Sequence, residues 1–169
     1  MLNPKIQDAL NGQINAEIFS SYLYLSMSAY CESRNLKGMA NWMRVQAQEE
    51  VTHAMKLYGF INDRGGRVAL TAIDAPKTDW DSPLHLFNDV YDHECKVSGL
   101  INDLVDLSIA ENDHATNTLL QWFVSEQTEE EATAQETVDK LTLVGDSGTG
   151  LFMLDAELGQ RTFTPAAGV

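Results

Sequence analysis

Residues 41–56 read NWMRVQAQEEVTHAMK, a helical segment whose apolar stripe contains a carboxylate and an imidazole. Steps of alternately four and three residues follow one face of an α-helix. Taken along this segment, they select Met39, Met43, Gln46, Glu50, His53, Leu57 and Phe60. Both ends of the stripe are apolar, as the inward face of a helical bundle requires. Its middle holds Glu50 and His53, which lie about one turn apart on the same face.

Three further segments also have a glutamate in the middle of an apolar stripe. Glu17 follows Leu10, Glu94 lies between two valines of its stripe, and Glu130 comes one turn after Gln127. In an antiparallel bundle, positions near the middle of each helix meet at the same level. The sequence therefore predicts that the four glutamates converge inside the bundle.

Proline and capping residues indicate where the helices begin. Asn3-Pro4 and Ser82-Pro83 each place an N-cap residue before a proline at the first helical position. Polar turn residues near 32–35 interrupt the first helical block, and those near 112–114 interrupt the second, so each block forms a helical hairpin. We therefore expect one all-α domain over residues 1–169, with four long helices and a short fifth C-terminal helix, at about 4–32, 36–64, 83–111, 115–143 and 150–159.

The segment between the hairpins, residues 65–82, predicts one long crossover. A helix of about 28 residues is roughly 42 Å long. Eighteen extended residues reach about 60 Å, which is enough to traverse the bundle. The second and third helices can therefore run parallel, as in a four-helix bundle with one long crossover connection.

The overall charge excludes some partners and favours others. The chain has 25 acidic and 11 basic residues, a formal net charge of −14 and a pI of about 4.4. Such a surface repels phosphate backbones, so nucleic acid is not an expected partner, whereas cations are. No apolar run reaches the roughly 20 residues of a membrane span. The two cysteines form no CxxC pair, and with no signal peptide recognised we expect a cytoplasmic protein.

The buried carboxylates need a compensating charge, and none of the four stripes carries lysine or arginine at their level. Isolated buried carboxylates are costly, and four together repel each other. Two divalent cations would balance the four charges and use the oxygens as ligands. His53 adds a nitrogen ligand suited to iron, and Gln127 offers a weaker oxygen contact. The alternative is a non-catalytic acidic helical bundle whose glutamates are protonated or exposed.

Several motifs over almost the whole length of the chain make it resemble the non-haem ferritins, especially those of prokaryotic type. The resemblance rests on Glu17 followed by SSYLYLSM, and on NWMRVQAQEEVTHAMK. It also rests on YDHE at 91–94, WFVSEQTEEEA at 122–132 and the terminal LFMLDAELG. E-x-x-H alone is a weak signal, but the motifs together are highly specific.

The resemblance implies iron storage and detoxification by a ferroxidase in a hollow homo-oligomeric shell of twenty-four subunits. Two Fe²⁺ would bind within each subunit and be oxidised to Fe³⁺ by O₂ or H₂O₂, and the product would be stored as ferric oxyhydroxide mineral. The residues implied for this di-iron centre are Glu17, Glu50, His53, Glu94, Gln127 and Glu130. A third iron site is implied at Glu49, Glu126 and Glu129, with Glu130 shared. Tyr24 matches a family tyrosine that hydrogen-bonds near the centre.

Departures from related families limit the interpretation. Gln127-x-x-Glu130 replaces the second E-x-x-H of bacterioferritin, and no methionine matches its haem ligand, so haem is not expected. The acidic residues Glu49, Glu126 and Glu129 have an alternative interpretation as a solvated face, and Tyr24 as a packed aromatic. The alternative enzyme is another di-iron oxidase, or a peroxide-detoxifying ferritin-like protein that stores little iron.

Overall fold

The computed structural model describes residues 2–164, and this part of the chain is helical without any β-strand. The five helices are α1 (Pro4–Ser33), α2 (Lys37–Asp63), α3 (Pro83–Ala110), α4 (His114–Val144) and α5 (Gly148–Leu158). The structure confirms the predicted fold class, a four-helix bundle followed by a short helix. Residue 1 and residues 165–169, which the predicted domain includes, lie outside the described residues. Among those described, no helix combines the length and apolar character that spanning a membrane demands.

Side-chain caps explain where most helices begin. The side chains of Asn3 and Ser82 accept hydrogen bonds from backbone N–H groups in the first turns of α1 and α3. The bounds of the four long helices lie within one residue of those predicted. The fifth helix begins two residues earlier than predicted, because Ser147 is its N-cap and accepts from the N–H of Gly150.

The crossover follows α1 along much of its length. Asn11 donates to the carbonyl of Arg67, and Ser26 donates to the carbonyl of Lys77. The crossover therefore runs in the same direction as α1, starting from the end of α2. This path returns the chain to the level where α2 begins, so α2 and α3 run parallel.

The apolar core consists of two clusters separated along the bundle. One contains Met27, Met43 and Phe87 and extends to α5. The other contains Leu10 and Ile101 and lies toward the opposite end. The buried glutamates occupy helix positions between these clusters, so they form a polar layer within an otherwise apolar interior.

Helix α5 is attached to the beginning of α2. The residue before α2, Leu36, makes no side-chain cap, and the carboxylate of Asp155 accepts from the N–H groups of Gly38 and Met39 instead. A Cβ at Gly38 would lie 1.6 Å from the carbonyl oxygen of Asp155. The close approach of α5 to α2 therefore requires glycine at this position.

Candidate metal centre

Glu17, Glu50 and His53 form one compact group of potential ligands. One ligand atom from each lies within 4.8 Å of the others, and all three side chains are buried. The Nδ1 atom of His53 is 3.3 Å from Oε2 of Glu50 and 4.0 Å from Oε2 of Glu17. The glutamates come from α1 and α2, so packing of these two helices creates the group.

A second group shares His53 and adds two glutamates from α4. Glu126, Glu130 and His53 each offer an atom within 4.8 Å of the other two. Glu130 is buried, whereas Glu126 is half-buried. The imidazole thus lies between two sets of carboxylates and could bind a cation held by either set.

Glu94 enters the polar layer from α3 and is held by two donors. The buried Tyr24 hydroxyl donates a hydrogen bond to its Oε1 atom. The Gln127 amide donates to its Oε2 atom at 3.1 Å. Glu94 is therefore oriented by a residue from α1 and one from α4, although it belongs to neither group of three.

The electrostatics of the layer favour a bound cation. Burial, followed by the charge of Glu50, raises the pKa of Glu17 to about 8. Burial, followed by the charge of Glu94, raises the pKa of Glu50 to about 8. Burial also raises the pKa of Glu94, and it raises that of Glu130 well above the ordinary value. These carboxyl groups thus lack a positive partner strong enough to keep their ordinary pKa.

Two side-chain oxygens in the layer have no hydrogen-bond partner. The Oε2 atom of Glu17 and the Oε1 atom of Gln46 are buried and unpaired among residues 2–164. Leaving a buried polar atom unsatisfied costs about 1–3 kcal/mol. The potential metal ligands around Oε2 of Glu17 are carboxylate oxygens and an imidazole nitrogen, a set that suits Fe²⁺ and other divalent transition metals. The unpaired Oε2 atom and this set of ligands both fit a cation between Glu17, Glu50 and His53.

Two glutamines hold the glutamates of the first group in place. The Gln13 amide donates to Oε1 of Glu17, and the Gln46 amide donates to Oε1 of Glu50, each at 2.9 Å. Each pair is spaced i, i+4 on one helix, which brings the side chains together. Each hydrogen bond occupies the Oε1 atom of its glutamate and leaves the Oε2 atom facing Nδ1 of His53.

Aromatic rings fix the orientation of His53. Its ring packs edge-on against Trp122 at 5.4 Å and against Phe123 at 6.1 Å between ring centroids. The amine of Lys56 lies over the outer part of this cluster, 4.4 Å from the Trp122 ring centroid. A fixed ring presents its nitrogens to the carboxylates without a large entropic cost on binding.

The residues assigned to a third site are only partly brought together. Glu126 joins His53 and Glu130, as described above. Glu49 is half-buried and forms an ion pair with Arg161, a residue beyond α5. Glu129 is exposed and belongs to neither compact group within the described part of the chain.

A groove between α3 and α4 approaches the centre from the surface. It has a volume of about 390 Å³, and its lining includes Tyr91, Gln127 and Glu131. Gln127 lines the groove and also donates to Glu94, so this side chain connects the groove with the buried carboxylates.

Comparison with known proteins agrees with this architecture. The family described as "Ferritin-like domain" matches residues 7–144. The chain belongs to the ferritin family. This ferritin is 48% identical over 161 residues to the bacterial non-heme ferritin of Bacteroides fragilis, covering 95% of this chain and 100% of the relative. It is 39% identical over 163 residues to the bacterial non-heme ferritin of Staphylococcus aureus, covering 96% and 98%.

Solved structures resemble this ferritin in fold as well as in sequence. The Archaeoglobus fulgidus ferritin engineered to a closed form superposes with a TM-score of 0.96 and 52% identity, covering 97% of this chain and 100% of that one. An open-pore ferritin from the same archaeon superposes with a TM-score of 0.95 and 52% identity, covering 96% and 100%. Membership of this family supports a role in iron storage.

Several residues that shape the site of this ferritin have no predicted role in the sequence. Gln46 lies on the predicted inward stripe, and a role for Gln13 and Gln46 was detectable because each precedes a stripe glutamate by four residues. Trp122 had no functional signal in the sequence, and its contact with His53 depends on helix packing. Arg161 gave no signal either, because it lies after α5 and far along the chain from Glu49.

Proposed function

We propose that this ferritin oxidises Fe²⁺ and stores the iron as a ferric mineral, and that the buried layer of glutamates and His53 is its ferroxidase centre. The observation that carries the proposal is the absence of a counter-charge. None of the four central glutamates pairs with lysine or arginine within residues 2–164. Two bound Fe²⁺ ions supply the missing positive charge. The proposed ligands are Glu17, Glu50, His53, Glu94, Gln127 and Glu130.

The polar layer supports two cation positions of different character. One lies between Glu17, Glu50 and His53, and the other is proposed between Glu94 and Glu130, of which Glu130 belongs to the second compact group. Glu130 stands where a histidine would complete a second E-x-x-H, and Gln127 stands at the glutamate position of that motif and offers only its amide oxygen. The second position therefore relies more on carboxylates, and we expect it to bind a cation less tightly.

Oxygen chemistry follows from holding two ferrous ions in one site. Each Fe²⁺ loses one electron, so a pair reduces one O₂, which takes two protons and leaves as H₂O₂. Carboxylate oxygens favour the harder Fe³⁺ ion, which makes this oxidation more favourable than with neutral ligands. Peroxide as oxidant would accept the same two electrons and yield water.

Tyr24 contributes a hydrogen bond beside the electron transfer. Its hydroxyl is buried and donates to Glu94. Burial, followed by the charge of Glu94, raises the pKa of Tyr24 well above its ordinary value. The phenol therefore stays protonated at neutral pH and holds Glu94 in one orientation, and its contact with this proposed ligand would let it donate an electron to the centre.

A third cation position among Glu49, Glu126, Glu129 and Glu130 belongs to the proposal as well. The repulsion among these carboxyl groups supports it. The charge of Glu126 acts to raise the pKa of Glu49, and the charge of Glu49 acts to raise the pKa of Glu130. Glu129 is exposed, so its part would be to receive a cation at the outer edge of the group.

Storage requires assembly, and two exposed apolar regions support it. Phe152 and Met153 on α5 are 75% and 67% exposed, and Leu70 in the crossover is 74% exposed. Apolar patches of this kind on a soluble protein mark interaction surfaces. A closed shell, proposed to contain twenty-four subunits, would cover them. A cytoplasmic location stays a prediction, for which the two free cysteines are suited.

Iron addition tests the proposal against its alternatives. Anaerobic protein given Fe²⁺ and then air should oxidise iron faster than buffer and retain a brown mineral that co-elutes with a particle far larger than the 18.7 kDa chain. Glu50→Ala should remove the fast phase, whereas Glu136→Gln, which changes an exposed glutamate on α4, should not. Oxidation at the buffer rate would support the acidic bundle instead. Fast oxidation without retained mineral would support a di-iron oxidase or peroxide-detoxifying protein.

A further inference from the structure

The chain after α5 returns to α2 beside the candidate metal centre. The amide of Asn41 donates to the carbonyl oxygen of Gly159 at 3.3 Å and to that of Arg161 at 2.9 Å. Together with the Asp155 cap on the first turn of α2, these bonds attach residues 155–161 to α2. The backbone position of Arg161 is therefore determined by α2, the helix that supplies Glu50 and His53.

The Arg161 side chain is directed at one carboxylate of the proposed third site. Its guanidinium carbon lies 4.4 Å from the centroid of the Trp42 ring, a cation–π contact. Its Nη2 atom forms an ion pair with Oε2 of Glu49, and both side chains are 22% exposed. The planar guanidinium is thus held between an aromatic face and a carboxylate.

Two further observations distinguish this ion pair from an ordinary surface contact. The Nη1 atom of Arg161 is buried and has no hydrogen-bond partner among residues 2–164. The Arg161 charge also acts on Glu130, whose pKa it lowers against the larger effects of burial and neighbouring carboxylates. Arg161 therefore places a positive charge against a group of carboxylates whose negative charge it only partly balances.

We infer that Arg161 competes with iron for Glu49 and thereby sets the cation affinity of the group formed by Glu49, Glu126 and Glu130. This inference rests on the proposed function. A cation that binds Glu49 must displace the guanidinium or share the carboxylate with it. The third position then binds more weakly than the two buried ones, which suits a position that iron passes through.

The expected change in cation affinity follows from the direct contact between the Arg161 guanidinium and the Glu49 carboxylate. An opposite charge within about 4–6 Å of a carboxylate changes its affinity for a proton by about ten- to a thousandfold. A divalent cation competes for the same oxygen, so removing the Arg161 charge should raise the affinity of the third position about tenfold or more. The two buried positions do not use Glu49, and Arg161 has a smaller effect on Glu130 than burial and the neighbouring carboxylates have, so their affinity should change much less.

Zn²⁺ binding to the assembled, iron-free protein tests the inference without any turnover. Equilibrium dialysis would measure the number and affinity of bound Zn²⁺, and anomalous scattering from crystals would locate each ion. The variants are Arg161→Gln, which removes the charge, and Arg161→Met, whose unbranched stem still packs on Trp42. Arg161→Lys is the matched control, since it keeps a positive charge. The double variant Arg161→Gln with Glu49→Gln tests whether the effect depends on Glu49.

The expected result is a third Zn²⁺ at Glu49 that binds about tenfold or more tightly in Arg161→Gln and Arg161→Met, and stays within about threefold of wild type in Arg161→Lys. The double variant should lose this gain. A third-site affinity within twofold of wild type in either neutral variant that assembles would overturn the inference, as would a gain that persists without Glu49. Wild-type protein without two buried Zn²⁺ ions would instead overturn the proposed function, and this inference with it.

Discussion

Replacing Glu17 with glutamine is expected to remove about one of the protons that the iron-free protein releases when divalent cations bind at pH 7. Burial, followed by the charge of Glu50, raises the pKa of Glu17 to about 8. A carboxyl group with that pKa holds about 0.9 of a proton at pH 7, whereas one with an ordinary pKa holds almost none. A cation ligand must be deprotonated, so this proton leaves when the cation binds.

The same reasoning applies to Glu50, whose pKa burial and the Glu94 charge also raise to about 8. Glu17 and Glu50 together should therefore contribute about 1.8 of the protons released per subunit at pH 7 in the wild type, and Glu50 alone should contribute about 0.9 in the Glu17→Gln variant. At pH 9 each group holds only about 0.1 of a proton, so the difference between the two proteins should nearly vanish. Since protons compete with the cation, cation affinity falls as pH drops below about 8.

Calorimetric titration with Zn²⁺ in two buffers of different ionisation enthalpy measures the number of protons released. Zn²⁺ is not oxidised, so binding is separated from turnover. Glu136→Gln, at an exposed position of α4, is the control and should release as many protons as wild type. Equal proton release from wild type and Glu17→Gln at pH 7 would refute the reasoning, and so would a difference that persists unchanged at pH 9.

Four other predictions concern the site and its support. The iron-free protein should melt at lower temperature as pH rises from 5 to 8, because the folded state keeps protons on Glu17 and Glu50 that the unfolded chain releases. The free energy of unfolding should fall by about 1.4 kcal/mol per pH unit for each of these groups. A melting temperature that rises with pH would contradict this. His53→Ala should slow stopped-flow iron oxidation at least about 100-fold, since it removes the nitrogen shared by both ligand groups; wild-type rates would exclude the assignment. Tyr24→Phe should slow oxidation about tenfold with unchanged Zn²⁺ stoichiometry, because Glu94 loses its hydroxyl donor; an unaltered rate would mean that the tyrosine only packs. Gly38→Ala should destabilise the protein by about 3 kcal/mol, whereas Gly12→Ala, where a Cβ meets nothing within 4 Å, should melt close to wild type; equal melting temperatures would exclude the close packing of α5.

The helical stripes were sufficient to predict the polar layer because local geometry determines it. Glu50 and His53 share a helix face whatever the tertiary structure, and proline with its capping residue starts α1 and α3 where predicted. The depth of Glu17 and Glu94 in the bundle also followed, since a helix places its middle residues at the level of its neighbours' middle residues. Helix α5 begins two residues before its predicted start, because glycine-rich segments carry weak helix signals.

Other features depended on contacts that no local pattern contains. The Glu49 carboxylate looks like its neighbouring glutamates in the sequence, yet it pairs with Arg161, more than a hundred residues away. Glu126 and Glu129 both lie in one acidic run, but helix rotation leaves Glu129 exposed and brings Glu126 to His53.

The sequence alone is enough to predict a helical bundle with four glutamates and a histidine on its inward faces, and it leads to the expectation of a cation that balances their charge. Periodicity and charge are enough for this, because they act within single helices or over the whole composition. The pairs of side chains that contact each other follow only from how the helices pack: Tyr24 and Gln127 contact Glu94, Trp122 contacts His53, and the guanidinium of Arg161 contacts Glu49. These contacts join distant parts of the chain, and their geometry depends on helix rotation and on how α5 docks on α2.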